Sequence, residues 1–122
     1  MGKTEGVLRL SEDSARALEE IRAASADRPV LVFKKSPICP ISHDAEAQVR
    51  KLLGAPGLKE KLSVAEIDVI AERALARGLV KLLEVEHQSP QALLFFQGTL
   101  RWHASHSAIT RSALEAALGA LG

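Results

Sequence analysis

Cys39 is the only cysteine in the chain, and it stands in the run Ser36-Pro37-Ile38-Cys39-Pro40-Ile41-Ser42. A proline is tolerated in the first turn of a helix, where its missing N–H would be unpaired anyway. Pro40 therefore reads as the opening of a helix, with Cys39 at its mouth. A helix N-terminus presents unpaired N–H donors and the positive end of the macrodipole. Both favour a thiolate, the nucleophilic form, and such placement brings a cysteine pKa from ~8.5 into the range ~3.5–7.5. Lys34, Lys35 and His43 are near in sequence and are candidates for added positive potential. Ser42 occupies the place where a Cys-x-x-Cys pair carries its second sulfur. A hydroxyl cannot attack a mixed disulfide, but it can donate a hydrogen bond to a thiolate. A reactive Cys39 is thus a one-cysteine exchanger that needs an external thiol to close its cycle. The bland alternative is a small buried hydrophobe, the common fate of a lone cysteine. The four histidines show no ligand spacing with Cys39, and zinc wants about four ligands, so no metal site is expected.

The flanking elements must hold that sulfur at a strand-to-helix junction. Val30 to Lys34 is an unbroken apolar run before its lysine, too short for a helix, and reads as a strand covered on both faces. From Pro40, the residues Ile41, Ala45, Val49, Leu52 and Leu53 line one helical face, and Gly54-Ala55-Pro56-Gly57 stops the helix. Upstream, Val7 to Leu10 is a short possible strand. Ser11 is a candidate cap for a helix from about Glu12 to Ala24, with Ala15, Leu18 and Ile21 at helical spacing. Downstream, Ala65 to Val69 alternates like a half-buried strand, and Ala71 to Glu84 is rich in helix formers, with Gly78 expected to interrupt it. Ser89-Pro90 is a breaker before a second buried strand, Ala92 to Phe96. Gln97-Gly98 resembles a two-residue hairpin turn leading to a returning strand, Thr99 to His103, on which Trp102 and Ala104 share one face and His103 takes the other. A last amphipathic helix begins at Ser107 and carries Ile109, Ala113, Leu114, Ala117, Leu118 and Leu121. The order β-α-β-α-β-α-β-β-α predicts one α/β domain over residues 1–122, a mixed five-stranded sheet sandwiched between helices.

Composition narrows the function classes. The net charge is +1, which supplies no basic field for nucleic acid. Three Phe, one Trp and no Tyr leave no stacking platform for bases. One cysteine cannot make an internal disulfide, so a reducing compartment is expected. Met1 to Gly6 is polar, without the apolar core of a secretory leader. Gly6 stands where N-myristoylation wants Ser or Thr. No apolar run approaches the ~20 residues of a membrane span. The expectation is a cytoplasmic protein without nucleic-acid or membrane partners.

The element order is similar to the thioredoxin fold. More narrowly, Cys39-Pro40-Ile41-Ser42, then Ser89-Pro90-Gln91-Ala92, then Trp102-His103-Ala104-Ser105-His106 resemble the YtxJ-type monothiol bacilliredoxins, over about Val30 to Thr110. Cys-x-x-Ser alone is a weak signal; three motifs in order are together a strong one. The resemblance implies a thiol–disulfide oxidoreductase of the bacillithiol system, in which bacillithiol, a small thiol carrying glucosamine and malate, replaces glutathione. It implies no bound cofactor, bacillithiol as co-substrate, and bacillithiol-modified proteins as partners. Cys39 would take bacillithiol onto itself from a protein mixed disulfide, a second bacillithiol would regenerate it, and Ser42 would occupy the resolving position without resolving. Pro90 would match the proline that is cis in thioredoxin-like folds, placing the Ser89 backbone beside the cysteine to pair with an extended substrate. Ser105-His106-Ser107 would open the last helix and receive the malate carboxylates, as helix N-termini attract anions; a plain helix cap is the alternative.

Two other functions fit the same cysteine. A monothiol glutaredoxin-like carrier bridges a [2Fe–2S] cluster with one cysteine and one small thiol per subunit, usually with a Gly-rich motif that is absent around Cys39. An interaction module that kept the fold and lost the chemistry would have an unperturbed Cys39 pKa near 8.5.

Overall fold

The computed structural model describes residues 8–121. Eight principal elements follow in order: α1 (Ser14–Ala24), β1 (Val30–Lys35), α2 (Pro40–Leu53), β2 (Ser63–Asp68), α3 (Arg73–Leu83), β3 (Gln91–Phe96), β4 (Thr99–Ser105) and α4 (Arg111–Gly119). Short 3₁₀ turns cover Leu58–Glu60 and His106–Ala108. The sheet order is β2-β1-β3-β4, with β1 parallel to β2 and antiparallel to β3, and β3 antiparallel to β4. The fold is thioredoxin-like α/β, a mixed sheet between helices.

The two central strands explain the sandwich. Val30, Leu31, Val32 and Phe33 of β1 are all fully buried, as are Leu93 and Phe95 of β3, so both faces need cover. Alternate side chains supply it: Val30, Val32, Leu93 and Phe95 meet α1 and α3, whereas Leu31, Phe33, Ala92 and Leu94 meet α2 and α4. Each buried Val, Leu or Phe among them contributes roughly 1.5–3 kcal/mol.

The sheet has four strands, not five. Of the fifth expected strand, Val7 lies outside the described residues, and Leu8 to Leu10 form no ladder beyond one bond, Leu8 N–H to the Val64 carbonyl at 2.9 Å. The first helix is capped by Asp13, whose carboxylate accepts the Arg16 N–H at 2.9 Å. Ser11 instead holds the helix from the side, donating its N–H and hydroxyl to Glu20 at 2.8 and 2.6 Å. The buried face of α1 is Ala17, Leu18 and Ile21, and Ala15 is exposed.

Gly78 does not interrupt α3, which runs through it. It marks a close approach instead: a Cβ there would lie 2.5 Å from Ser14 Oγ and 2.8 Å from Ser14 Cβ, so the glycine lets α1 and α3 touch. Gln97 and Gly98 do form the tight turn, with φ of 54° and 77°, the double positive φ of a type I′ hairpin. Trp102 and Ala104 pack together on the α2–α4 face, and His103 is exposed.

Candidate active site around Cys39

Register brings three loops to one end of the sheet. β1 ends at Lys35 beside Asp68 of β2, β3 begins at Gln91 beside Lys34, and Gln91 pairs in turn with Ser105 at the end of β4. The Cys39 loop, the Ser89–Pro90 peptide and the His106–Ala108 turn therefore share that edge.

Cys39 is the N-cap residue of α2, in extended conformation (φ −106°, ψ 121°), with Pro40 opening the helix. It is partly exposed and free. The loop before it is folded back tightly: Cys39 N–H reaches the Ser36 carbonyl at 3.4 Å, and His43 N–H reaches the Cys39 carbonyl at 3.2 Å. The Cys39 thiol is drawn below its ordinary pKa. The largest cause is the Ser42 N–H; burial opposes it, and the Ile41 N–H and the Ser42 hydroxyl add to it. These are the unpaired donors of a helix mouth acting as the sequence predicts.

The nearby cations have other work. Lys34 is buried, its Nζ against His87 Nδ1 (2.9 Å) and Gln91 Oε1 (2.7 Å). Lys35 bridges Glu46 and Glu66, both at 3.0 Å. His43 Nε2 lies 3.1 Å from the Pro37 carbonyl.

α2 is rotated from the face expected for it. Its buried residues are Ser42, Ala45, Val49 and Leu52, while Ile41 stays 45% exposed. A serine can be buried there because its oxygen accepts the Ser36 N–H at 3.1 Å. Ile38, beside the sulfur, is 79% exposed.

The Ser89–Pro90 peptide is cis. Pro90 is buried and its carbonyl accepts the His106 N–H at 3.1 Å, tying this loop to the turn after β4. The Ser89 hydroxyl is buried and finds no partner among the described residues.

The Ser105-His106-Ser107 run is not the start of the last helix. It forms the end of β4 and a 3₁₀ turn, with His106 in left-handed conformation (φ 54°), and α4 begins at Arg111, capped by Thr110. The anion-attracting helix mouth expected at these residues is thus absent. Nor do the three line one groove. His106 and Ser107 line a groove of about 320 Å³ against Ile41, Asp44 and Gln48 of α2. Ser105 lines a different one, of about 410 Å³, with Gln91 and His103. Sequence reasoning missed Asp44 and Gln48, and it missed the partners of Lys34. A lysine ending an otherwise apolar buried run was the available signal for the latter.

A family model described as monothiol bacilliredoxin BrxC matches residues 11–114. A solved structure described as an oxidoreductase with a thioredoxin fold is 28% identical, with a TM-score of 0.74, over 96% of this chain and 97% of that one. Trxlp from Edwardsiella tarda EIB202 is 22% identical (TM-score 0.65, covering 92% of this chain and 97% of that one). Fasciola hepatica thioredoxin is 14% identical (TM-score 0.65, covering 95% of each). The last two carry the fold alone.

Proposed function

The chain belongs to the monothiol bacilliredoxin family of thiol oxidoreductases, and from that premise we propose that it removes bacillithiol from protein mixed disulfides through Cys39. The Cys39 thiolate attacks the bacillithiol sulfur of the mixed disulfide. The S–S bond breaks, the target protein's cysteine leaves as thiolate and takes a proton, and bacillithiol is now disulfide-bonded to Cys39. A second bacillithiol thiolate attacks that bond, leaving as bacillithiol disulfide and restoring the Cys39 thiolate. The cycle oxidises one free bacillithiol and reduces one protein cysteine; the bacillithiol from the mixed disulfide keeps its oxidation level and ends in bacillithiol disulfide.

The observation that carries this reading is a lone sulfur, partly exposed, held at the mouth of α2 and pulled toward ionisation by the N–H groups of Ser42 and Ile41. Ser42 holds the resolving position and supplies a hydroxyl in place of a second thiol. The cis Ser89–Pro90 peptide at the same sheet edge offers its backbone to an extended target chain. The groove between α2 and the His106–Ala108 turn is the seat for the small thiol. Its carboxylates sit by His106 and Ser107, away from Asp44, with Ser105 behind them in the strand. A reducing cytoplasm is the setting in which such a cycle runs; no helix among the described residues is long and apolar enough to cross a membrane.

The test is release of bacillithiol from a modified protein, followed by mass spectrometry. Cys39→Ser abolishes it and Ser42→Ala largely preserves it. Wild-type rates from the Cys39→Ser protein would sink the mechanism.

A further inference from the structure

Lys34 is fully buried in β1, and it enters none of the ion pairs among the described residues. Burying a cation without a counter-charge is expensive, and an apolar side chain would fill the site more cheaply. What the amine does there is hold a loop. Its Nζ donates to Gln91 Oε1 at 2.7 Å and lies 2.9 Å from His87 Nδ1. An ammonium has no acceptor, so Nδ1 must accept and the imidazole proton sits on Nε2. The Gln91 amide carries the hold onward: Oε1 also accepts the Gln88 N–H at 3.4 Å, and Nε2 donates to the Glu86 carbonyl at 3.0 Å. Lys34 thus fixes residues 86–88 on one side of the Ser89–Pro90 peptide and Gln91 on the other.

We propose that Lys34 is the positioning residue of the Ser89–Pro90 docking edge, acting through Gln91 and His87. The inference rests on the reading that this edge receives the target chain. Burial above all, and then the charge of Arg77, pull Lys34 down to about 8. Losing that proton does not break the network, since a neutral amine keeps the two N–H donors it needs. Protonating His87 does break it, because Nδ1 then becomes a donor. His87 is held below the ordinary histidine value by burial first, then by Lys34 from β1 and Arg77 and Arg73 from α3. The hold is therefore intact from neutral pH upward and fails on acidification, lower on the pH scale than an ordinary histidine would titrate.

The experiment compares wild-type, Lys34→Met, His87→Phe and His87→Asn proteins. Lys34→Met and His87→Phe speed hydrogen exchange at the Gln88 and His106 N–H groups. They also raise KM for a mixed-disulfide protein roughly tenfold, the worth of a lost charge-assisted hydrogen bond. The rate of Cys39 alkylation by iodoacetamide stays the same. His87→Asn, which restores an acceptor, rescues KM at pH 7 and removes its rise in acid. Wild-type exchange and KM in both disruptive variants would overturn the assignment, as would a wild-type KM that rises above pH 8 instead of in acid. If the wild-type protein releases no small thiol from any modified target, the functional reading falls, and the exchange data still decide whether Lys34 holds the loop.

Discussion

The Ser42 hydroxyl accepts the Ser36 N–H at 3.1 Å while also favouring the Cys39 thiolate, so one buried oxygen both closes the loop before the sulfur and faces the sulfur itself. Ser42 is thereby a structural clasp. The two parts it plays can be separated because its N–H and its hydroxyl act independently on the cysteine.

Replacing Ser42 with alanine removes the hydroxyl and leaves the N–H, which is the larger cause of the lowered Cys39 pKa. The wild-type protein should therefore alkylate with a midpoint below the unperturbed ~8.5. Ser42→Ala should move that midpoint upward and still leave it below the free value. The pH dependence of iodoacetamide labelling measures both.

The groove proposed to seat the small thiol makes a separate demand on His106. Titrating bacillithiol or malate into the His106→Ala protein should show weaker binding than to wild type. Calorimetry reads the difference, and equal affinities would remove His106 from the site.

Packing of α1 on α3 depends on the missing side chain at residue 78. Gly78→Ala forces a methyl into Ser14 and should destabilise the fold by about 1–3 kcal/mol. Adding Ser14→Gly should recover part of the loss, so the pair is less than additive in denaturant unfolding.

Ser25 fastens the hairpin from another layer. Its carbonyl accepts the Gln97 N–H at 2.6 Å and its hydroxyl accepts the Gly98 N–H at 3.0 Å. Ser25 is fully buried, so Ser25→Ala strands a donor and should cost about 1–3 kcal/mol in thermal or urea unfolding.

Glu46 sets an acid limit. Hydrogen bonds from Lys35 and then Arg50 hold its carboxyl below the usual range. A depressed carboxylate contributes stability that is present above its unfolded value, ~4.3, and is lost as pH falls through the lower folded value. The Tm gap between wild type and Glu46→Gln should be open at pH 6 and close on approach to pH 3.

Local chemistry made much of the site legible. Pro40 announces a helix start, Val30 to Lys34 a buried strand, and Gln97-Gly98 a turn, because each signal is confined to a few neighbouring residues. Most of the misreadings turn on contacts that the local pattern does not carry. Gly78 looks like a breaker until Ser14 is placed against it. Ile41 looks like core until Ser36 satisfies Ser42 and lets the serine turn inward. Ser107 looks like a helix start, yet His106 is pinned to Pro90 and the helix waits for Thr110. The network of Lys34 joins residues more than fifty positions apart, beyond the reach of any pattern of period two or 3.6.

The cysteine's neighbours bear on how it behaves as electrolyte changes. Counter-ions screen charges that act across solvent, over about 10 Å at 0.1 M. The groups that favour the Cys39 thiolate are N–H and O–H donors of its own helical turn, in contact with the sulfur, and Lys35 is already neutralised by two glutamates. Its reactivity should therefore hold nearly constant as ionic strength rises.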